Sequence, residues 1–395
     1  GAGGGMSANG HARRVLITGG AGFLGSHLAR RLLHAGWEVR LLDSLDPQVH
    51  PQGVPAYLPP EAELQIGDVC DAAAVDRALH GVVAVAHFAA VVGVGQSMYQ
   101  IARYNQVNLQ GTAVLLEAML RRQRQPGSGF QRLLLAGSMS MYGEGRYRCP
   151  GCRRRRTVGG RSLEQLRCQD WEVRCPVCQA ALVPLPTGED KPPQLGSVYA
   201  LTKYTQEHLC LLFGRTYDVP AVVLRFFNTY GPHQALSNPY TGVAAVFAAE
   251  LLAGRAPQVF EDGRQMRDLV SVHDVTAACE RALEAAAAVG GTFNIASGQT
   301  LTITELAQQL ARALGLPIAP RITGRYRVGD ARHCIANIEA ARQKLGYEPR
   351  VSLQQGLREL ADWLRRQPAR QPARVAPAPT QERAAAELRT FGLTG

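Results

Sequence analysis

Apolar positions along the chain follow two rhythms that take turns. RRVLITG at residues 13–19 is a short continuous apolar run, GGAG a tight turn, and FLGSHLARRLLHAG an amphipathic stretch that stops at Gly36. EVRLLD reads as the next strand. The alternation then repeats as AELQIGD with a helix from Asp71, VVAVAHFAA with a helix through about Met119, RLLLAGS, a helix from about Ser197, and AVVLRFFN. Continuous apolar runs joined by amphipathic crossovers predict a parallel sheet with helices on both faces, an α/β fold of the doubly wound Rossmann type over residues 12–233.

The pattern changes after that. Residues 234–366 mix loops with amphipathic stretches such as ITELAQQLARALG and SLQQGLRELADWLRR, and are expected to form a smaller C-terminal substrate domain that closes the cleft. PARQPARVAPAPT has no apolar period and reads as linker or disorder, and QERAAAELRTFG as one short helix; the tail, 367–395, is assigned no function. At the other end residues 1–11 read as a disordered start, with GAGGG before Met6 the remnant of an expression tag.

Composition narrows the classes of function. With 395 residues and 46% apolar content the chain can bury a sizeable core. Of its net charge of +11, residues 146–178 alone supply +6, so the rest of the chain carries no broad basic face and a nucleic-acid partner is not expected. The longest apolar run, GVVAVAHFAAVVGVG at 81–95, contains His87 and is shorter than the ~20 residues of a spanning helix, so no membrane partner is expected either. No charged start leads into an apolar secretory segment, which predicts a cytoplasmic protein. Nine cysteines in such a compartment are expected as thiols.

Two groups of residues carry chemistry. Gly19, Gly22 and Gly25, with Phe23 and Leu24 between them, sit between a strand and a helix, where backbone amides point at a pyrophosphate; Asp43 ends the next strand, 24 residues after Gly19. A carboxylate there accepts hydrogen bonds from a ribose and repels a 2′-phosphate, which favours NAD over NADP. Ser138 ends a later strand, and Tyr199 and Lys203 lie four apart on one helix face. A lysine beside a phenol favours the phenolate, which would bring the tyrosine down from its ordinary ~10 and make it a base, with Ser138 orienting a substrate hydroxyl. His87 reads as a packing residue.

TGGAGFLGSHL, Asp43, GDV at 67–69, HFAA at 87–90, SMSMYG, YALTK and LRFFNTYGP together resemble the extended short-chain dehydrogenase/reductases that act on nucleotide sugars, over about residues 13–365. The resemblance implies tightly bound NAD and a homodimer. It puts Asp68 and Val69 at adenine, and Phe88, Ala89, Ala90, Asn108 and Phe226 along the cofactor. On the sugar nucleotide it puts Gln96, Ser138, Ser140 and Asn228, with Arg267 and Arg332 on the diphosphate, where a planar guanidinium matches phosphate oxygens. Dehydratases of this family carry an Asp-Glu pair after the strand-end hydroxyl; this chain has Met139 and Ser140, which cannot do that work. A 4-epimerase is therefore expected. The stretch from Ala235, ALSNPYTGVAAVFAAELLAGR, with PLPTGEDKPPQLGSVYALTK, looks like the subgroup of dTDP-L-rhamnose 4-epimerases. A UDP-hexose or UDP-uronate 4-epimerase, a 4-ketosugar reductase, and a non-enzymatic regulator are the alternatives.

Ser138 and Tyr199 stand 61 residues apart, and the added length holds Cys149-Pro-Gly-Cys152 and Cys175-Pro-Val-Cys178, two pairs with 22 residues between. Two such knuckles present four thiolates to a tetrahedral metal, so residues 146–185 are expected to be a zinc-ribbon-like insert with a structural Zn²⁺. Four arginines, Arg153–Arg156, follow the first knuckle. The insert is expected to be a lid or rim beside the sugar pocket, because both of its ends lead to Ser138 and Tyr199.

Overall fold

Every apolar run of the first half becomes a strand of one parallel sheet. In the computed structural model, which describes residues 13–125, 129–235, 242–367 and 386–394, these are β1 (Arg14–Thr18), β2 (Glu38–Asp43), β3 (Glu63–Ile66), β4 (Ala84–His87), β5 (Arg132–Ser138) and β6 (Ala221–Phe226). A seventh, β7 (Thr292–Ile295), completes the order β7-β6-β5-β4-β1-β2-β3. The order reverses between β1 and β4, and the crevice of an open parallel sheet lies at that switch, beyond the carboxyl ends of the strands. Residues of β4 and β6 are buried throughout, because helices cover both faces.

The helix α1 (Phe23–His34) follows the glycine turn. The long helix α2 (Val198–Tyr217) is capped by the Ser197 side chain, which accepts from Ala200 N, and buries Ala200, Lys203, Glu207, Cys210 and Phe213 along one stripe. A third helix, α3 (Val272–Glu284), packs on α1 with Arg31 paired to Glu280. The expected domain boundary at residue 233 is thus not where the chain divides: after leaving the sheet it comes back, as α3 and β7, and the sheet's last strand belongs to the segment read as substrate domain. TFNI is too short and too far from the others for its pattern to announce that pairing.

The remaining second half forms a lobe of three helices, Val243–Leu252, Ile303–Leu314 and Leu353–Arg366. Their stripes meet in a separate core in which Leu310 and Leu360 are wholly buried, each contributing about 1.5–3 kcal/mol. The insert is a three-stranded antiparallel sheet, Arg146–Arg148 between Arg155–Arg156 and Val183–Leu185, with a short helix Leu163–Arg167. Residues 386–390 are helical, as the pattern predicts, and fold back onto the body: Tyr99 donates to Glu387 at 2.7 Å and stacks on Phe391 at 4.9 Å, while Thr394 bridges to Arg327. The start, residues 1–11, the linker at 368–385 and most of the loop after Ala235 lie outside the described residues. Among the described residues no helix is long and apolar enough to cross a membrane.

Candidate active site

A cavity of about 1520 Å³ opens at the carboxyl ends of the strands and runs on between the sheet and the helical lobe. One half is made by turns that leave β1 to β4. Gly19 has φ +67°, and a Cβ on it would lie 2.8 Å from Ala89 N; a Cβ on Gly25 would lie 2.4 Å from Gly19 O. Neither position accepts a side chain, and both keep backbone at the cavity surface, the shape a pyrophosphate needs. Asp43 accepts from Ala21 N at 2.9 Å and Leu45 N at 2.8 Å, which fixes the carboxylate at the cavity wall with lone pairs to spare for a ribose. Gly22, Phe23, Leu24, Asp68, Val69, Ala89 and Ala90 line the same half, and Phe88 meets Phe226 edge-on at 5.9 Å beside them.

Ser138, at the end of β5, and Tyr199 and Lys203, on the first turns of α2, come together where this half meets the other. Ser138 donates to Ser140 Oγ at 2.9 Å, and its hydroxyl stands beside the Tyr199 phenol. Burial pushes the Tyr199 phenol above its ordinary pKa, and the neighbouring Ser138 hydroxyl opposes this. Burial likewise pushes Lys203 down to about 8, against the pull of Cys210 and Glu207. The expectation that Lys203 brings the phenol down is not met in this arrangement: burial dominates for both groups, and what opposes it at Tyr199 is the Ser138 hydroxyl, not the Lys203 charge. No carboxylate accompanies them on the strand end, since Glu144, the first one after Ser138, is turned away to the Tyr147 hydroxyl at 2.6 Å and Arg332 N at 2.8 Å.

The other half of the cavity is formed by the lobe. Asn228 lines it with a buried side-chain oxygen that has no hydrogen-bond partner, an acceptor waiting for a donor. Arg267 lines it too, its guanidinium spanning Ala331 O at 2.7 Å and Arg332 O at 2.9 Å. Three residues picked from the sequence stand elsewhere. Asn108 is wholly buried and clips Val91 through both its N–H and C=O, with Thr202 as a further partner, so it shapes the cofactor loop from behind. Gln96 lies one layer back, exchanging hydrogen bonds with Gln48, and it is Gln48 that reaches the cavity. Arg332, expected on a diphosphate, is wholly buried among Glu172, Glu261 and Asp262 and faces no cavity. In its place Arg325 and Arg327 line the wall, the latter over the Phe260 ring at 4.7 Å, and Arg389 joins them from the folded-back tail. GRYRVGD, with two arginines in a glycine-flanked loop, was the signal for the first pair; nothing local marks Arg389.

His87 donates and accepts between Thr18 and Thr112, and burial holds its pKa down to about 3, so it is a neutral packing residue behind the glycine turn. The four insert cysteines present sulfurs within 4.8 Å of one another, with Cys149 and Cys178 at 3.4 Å and Cys152 and Cys175 at 3.9 Å. Sulfurs on a tetrahedron with ~2.3 Å metal bonds lie ~3.8 Å apart, so the cluster fits a metal of zinc's preference. Backbone N–H of Cys178 draws the Cys175 thiol down to about 6, and the neighbouring Cys152 and Cys175 sulfurs raise the pKa of Arg156, one cation of the arginine run.

Residues 15–159 and 178–296 match the model of the NAD dependent epimerase/dehydratase family, and the gap falls inside the insert. The dTDP-L-rhamnose 4-epimerase of Burkholderia thailandensis is 34% identical over 360 residues, covering 89% of this chain and 95% of that protein. Among solved structures, the UDP-glucose 4-epimerase of Thermotoga maritima with UDP-glucose has 29% identity and a TM-score of 0.72, over 89% of this chain and 98% of the other. That of Thermus thermophilus in complex with NAD has 29% identity and a TM-score of 0.68, over 89% and 99%. Glycine turn, strand-end hydroxyl and sequence agree across both halves of the sheet, and this chain belongs to the NAD dependent epimerase/dehydratase family.

Proposed function

We propose that this enzyme interconverts a nucleotide-linked hexose and its C4 epimer through a 4-keto sugar, and that the sugar nucleotide is dTDP-L-rhamnose. The observation that carries the reaction is the company Ser138 keeps: Tyr199 and Lys203 meet it at the cavity, and the run Ser138-Met139-Ser140 brings no carboxylate. A proton can be taken from a hydroxyl there, but no acid is placed to expel one. The sugar assignment is supported by the relative acting on dTDP-L-rhamnose, 34% identical over most of both chains.

NAD, when bound, supplies the chemistry of accepting a hydride from C4 and returning it. The chain does the rest. Gly19 and Gly25 keep backbone at the surface for the pyrophosphate, and Asp43 takes the ribose hydroxyls. Ser138 Oγ holds the C4 hydroxyl toward Tyr199 Oη, which takes its proton as the carbonyl forms and gives it back after the sugar has turned over. Lys203, charged below about pH 8, is the cation that would stabilise Tyr199 as it becomes a phenolate, against the burial that holds the phenol up. Asn228 and Arg267, with Arg325 and Arg327, hold the nucleotide end while the flat keto sugar rotates in a cavity roomy enough for it. The four cysteines hold a structural zinc ion, since a closed four-thiolate set leaves no position for water.

The test is to denature the purified protein, identify released nucleotide by mass spectrometry, and incubate intact enzyme with dTDP-L-rhamnose without added cofactor. Released NAD and a new 4-epimeric dTDP sugar are expected. Turnover of UDP-hexoses alone would replace the substrate; turnover only of a keto sugar with NADPH would replace the reaction.

A further inference from the structure

Arg332 is out of place for a diphosphate ligand, and what surrounds it explains the insert. Its Nη1 donates to Glu261 at 3.0 Å and Asp262 at 2.7 Å, its Nη2 to Glu172 at 2.5 Å, and its own backbone N–H to Glu144 at 2.8 Å. A second buried guanidinium, that of Arg161, donates to Glu261 at 2.8 Å, to Asp330 O at 3.1 Å and to Trp171 O at 3.1 Å. His333 accepts from Met266 N at Nδ1, which leaves Nε2 to donate to Glu172 at 3.2 Å. The cluster therefore joins three parts of the molecule. Glu144 comes from the end of the sheet, Arg161 and Glu172 from the insert, and Glu261, Asp262, Arg332 and His333 from the lobe.

We propose that the four-cysteine insert is the positioning element for the cavity wall at residues 325–331, acting through Glu172 and Arg161 on Arg332. Two observations give the coupling its direction. The insert's own core is Tyr147, Cys149, Val173, Cys175 and Leu182, so two of its five core residues are themselves metal ligands, and a module with so little apolar interior takes its folding energy from the metal. Glu172 stands three residues before Cys175, so its carboxylate is placed by the second knuckle. On the other side, Arg332 continues directly from the wall: Arg327 and Ala331 line the cavity, and the backbone oxygens of Ala331 and Arg332 hold the Arg267 guanidinium. Loosening the knuckles withdraws Glu172 and Arg161, leaves Arg332 short of partners in a buried site, and frees the wall that holds the nucleotide end of the substrate. The cofactor half should be untouched, because among the described residues no hydrogen bond or ion pair joins the glycine turn or Asp43 to the insert, Asp43 being held by Ala21 N and Leu45 N.

This inference rests on the sugar-nucleotide reading of the cavity, and the experiment separates the two. In the full-length holoenzyme, Glu172→Gln should keep its bound NAD and its zinc, raise KM for the nucleotide sugar on the order of tenfold with kcat little changed, and speed hydrogen exchange of the 325–333 segment. Chelating the zinc from the unaltered enzyme, with metal loss measured directly, should speed exchange in the same segment and weaken dTDP binding by calorimetry while NAD stays bound. Unchanged exchange at 325–333 after either treatment would overturn the proposal, as would equal losses in kcat, KM and NAD content, which mark general destabilisation. If no nucleotide sugar is turned over by the unaltered enzyme, the functional reading fails, while exchange and dTDP binding still judge the coupling.

Discussion

The two walls of the cavity are held by different physics. On the sheet side, Ser138, Asp43 and the glycine turn stand at the ends of strands whose buried interiors are apolar except for Arg40 in β2, and their positions follow from parallel pairing, as where Ser138 sits level with Phe226 across β5 and β6. On the lobe side, the residues proposed to hold the nucleotide end hang from short strands, Met266–Arg267 against His333–Cys334, and from buried charge pairs reaching to the insert. Apolar packing is non-directional and summed over many contacts, so no single residue decides it. Buried ion pairs are few and directional, and the loss of one partner strands the other. The proposed chemistry sits on the forgiving wall and the proposed substrate contacts on the brittle one, so substitutions on the two sides should fail in different ways.

Tyr199→Phe gives the largest effect expected. It should lower kcat by about 10²–10⁴-fold while NAD and zinc contents stay unchanged; full turnover in that variant would remove the proposed base and the contrast with it. Lys203→Met comes next. Below about pH 8 the wild-type lysine carries its charge, and on the proposed mechanism that charge lowers the cost of forming the phenolate, so removing it should shift the rising limb of the kcat profile about 1–3 units to higher pH. An unshifted limb would show that Tyr199 does not feel the charge. Smallest is Phe391→Ala in the folded-back tail, where the stacked pair with Tyr99 is worth about 0.5–1.5 kcal/mol; KM for the nucleotide sugar should rise about 2- to 10-fold with kcat held. A fall in kcat without a change in KM would put the tail on the chemical wall instead.

Much of the sheet side was legible before any coordinates. The strands, the glycine turn and the Tyr199–Lys203 spacing are local patterns, and local patterns survive in one dimension. The cysteine pairs were legible for the same reason, since a metal demands ligands in tight knuckles. Other residues were misplaced by likeness: Asn108 and Gln96 act one layer behind the cavity, and Arg332 is tied into a charge cluster, while Arg325, Arg327 and Arg389 take the wall. The return of the chain as β7, and the docking of residues 386–394 on Tyr99 and Val328, carry no short-range signature.

By itself, then, the sequence determined the fold class, the glycine turn, the Tyr199–Lys203 pair on one helix face and the four-thiolate set, because each depends on spacing within one strand, turn or helix. Only the tertiary structure decided which arginines face the cavity and which are buried in pairs. The same guanidinium serves a phosphate or a carboxylate equally well, and the choice rests on partners such as Glu172 and Glu261, 160 and 71 residues away from Arg332, that only folding brings to it.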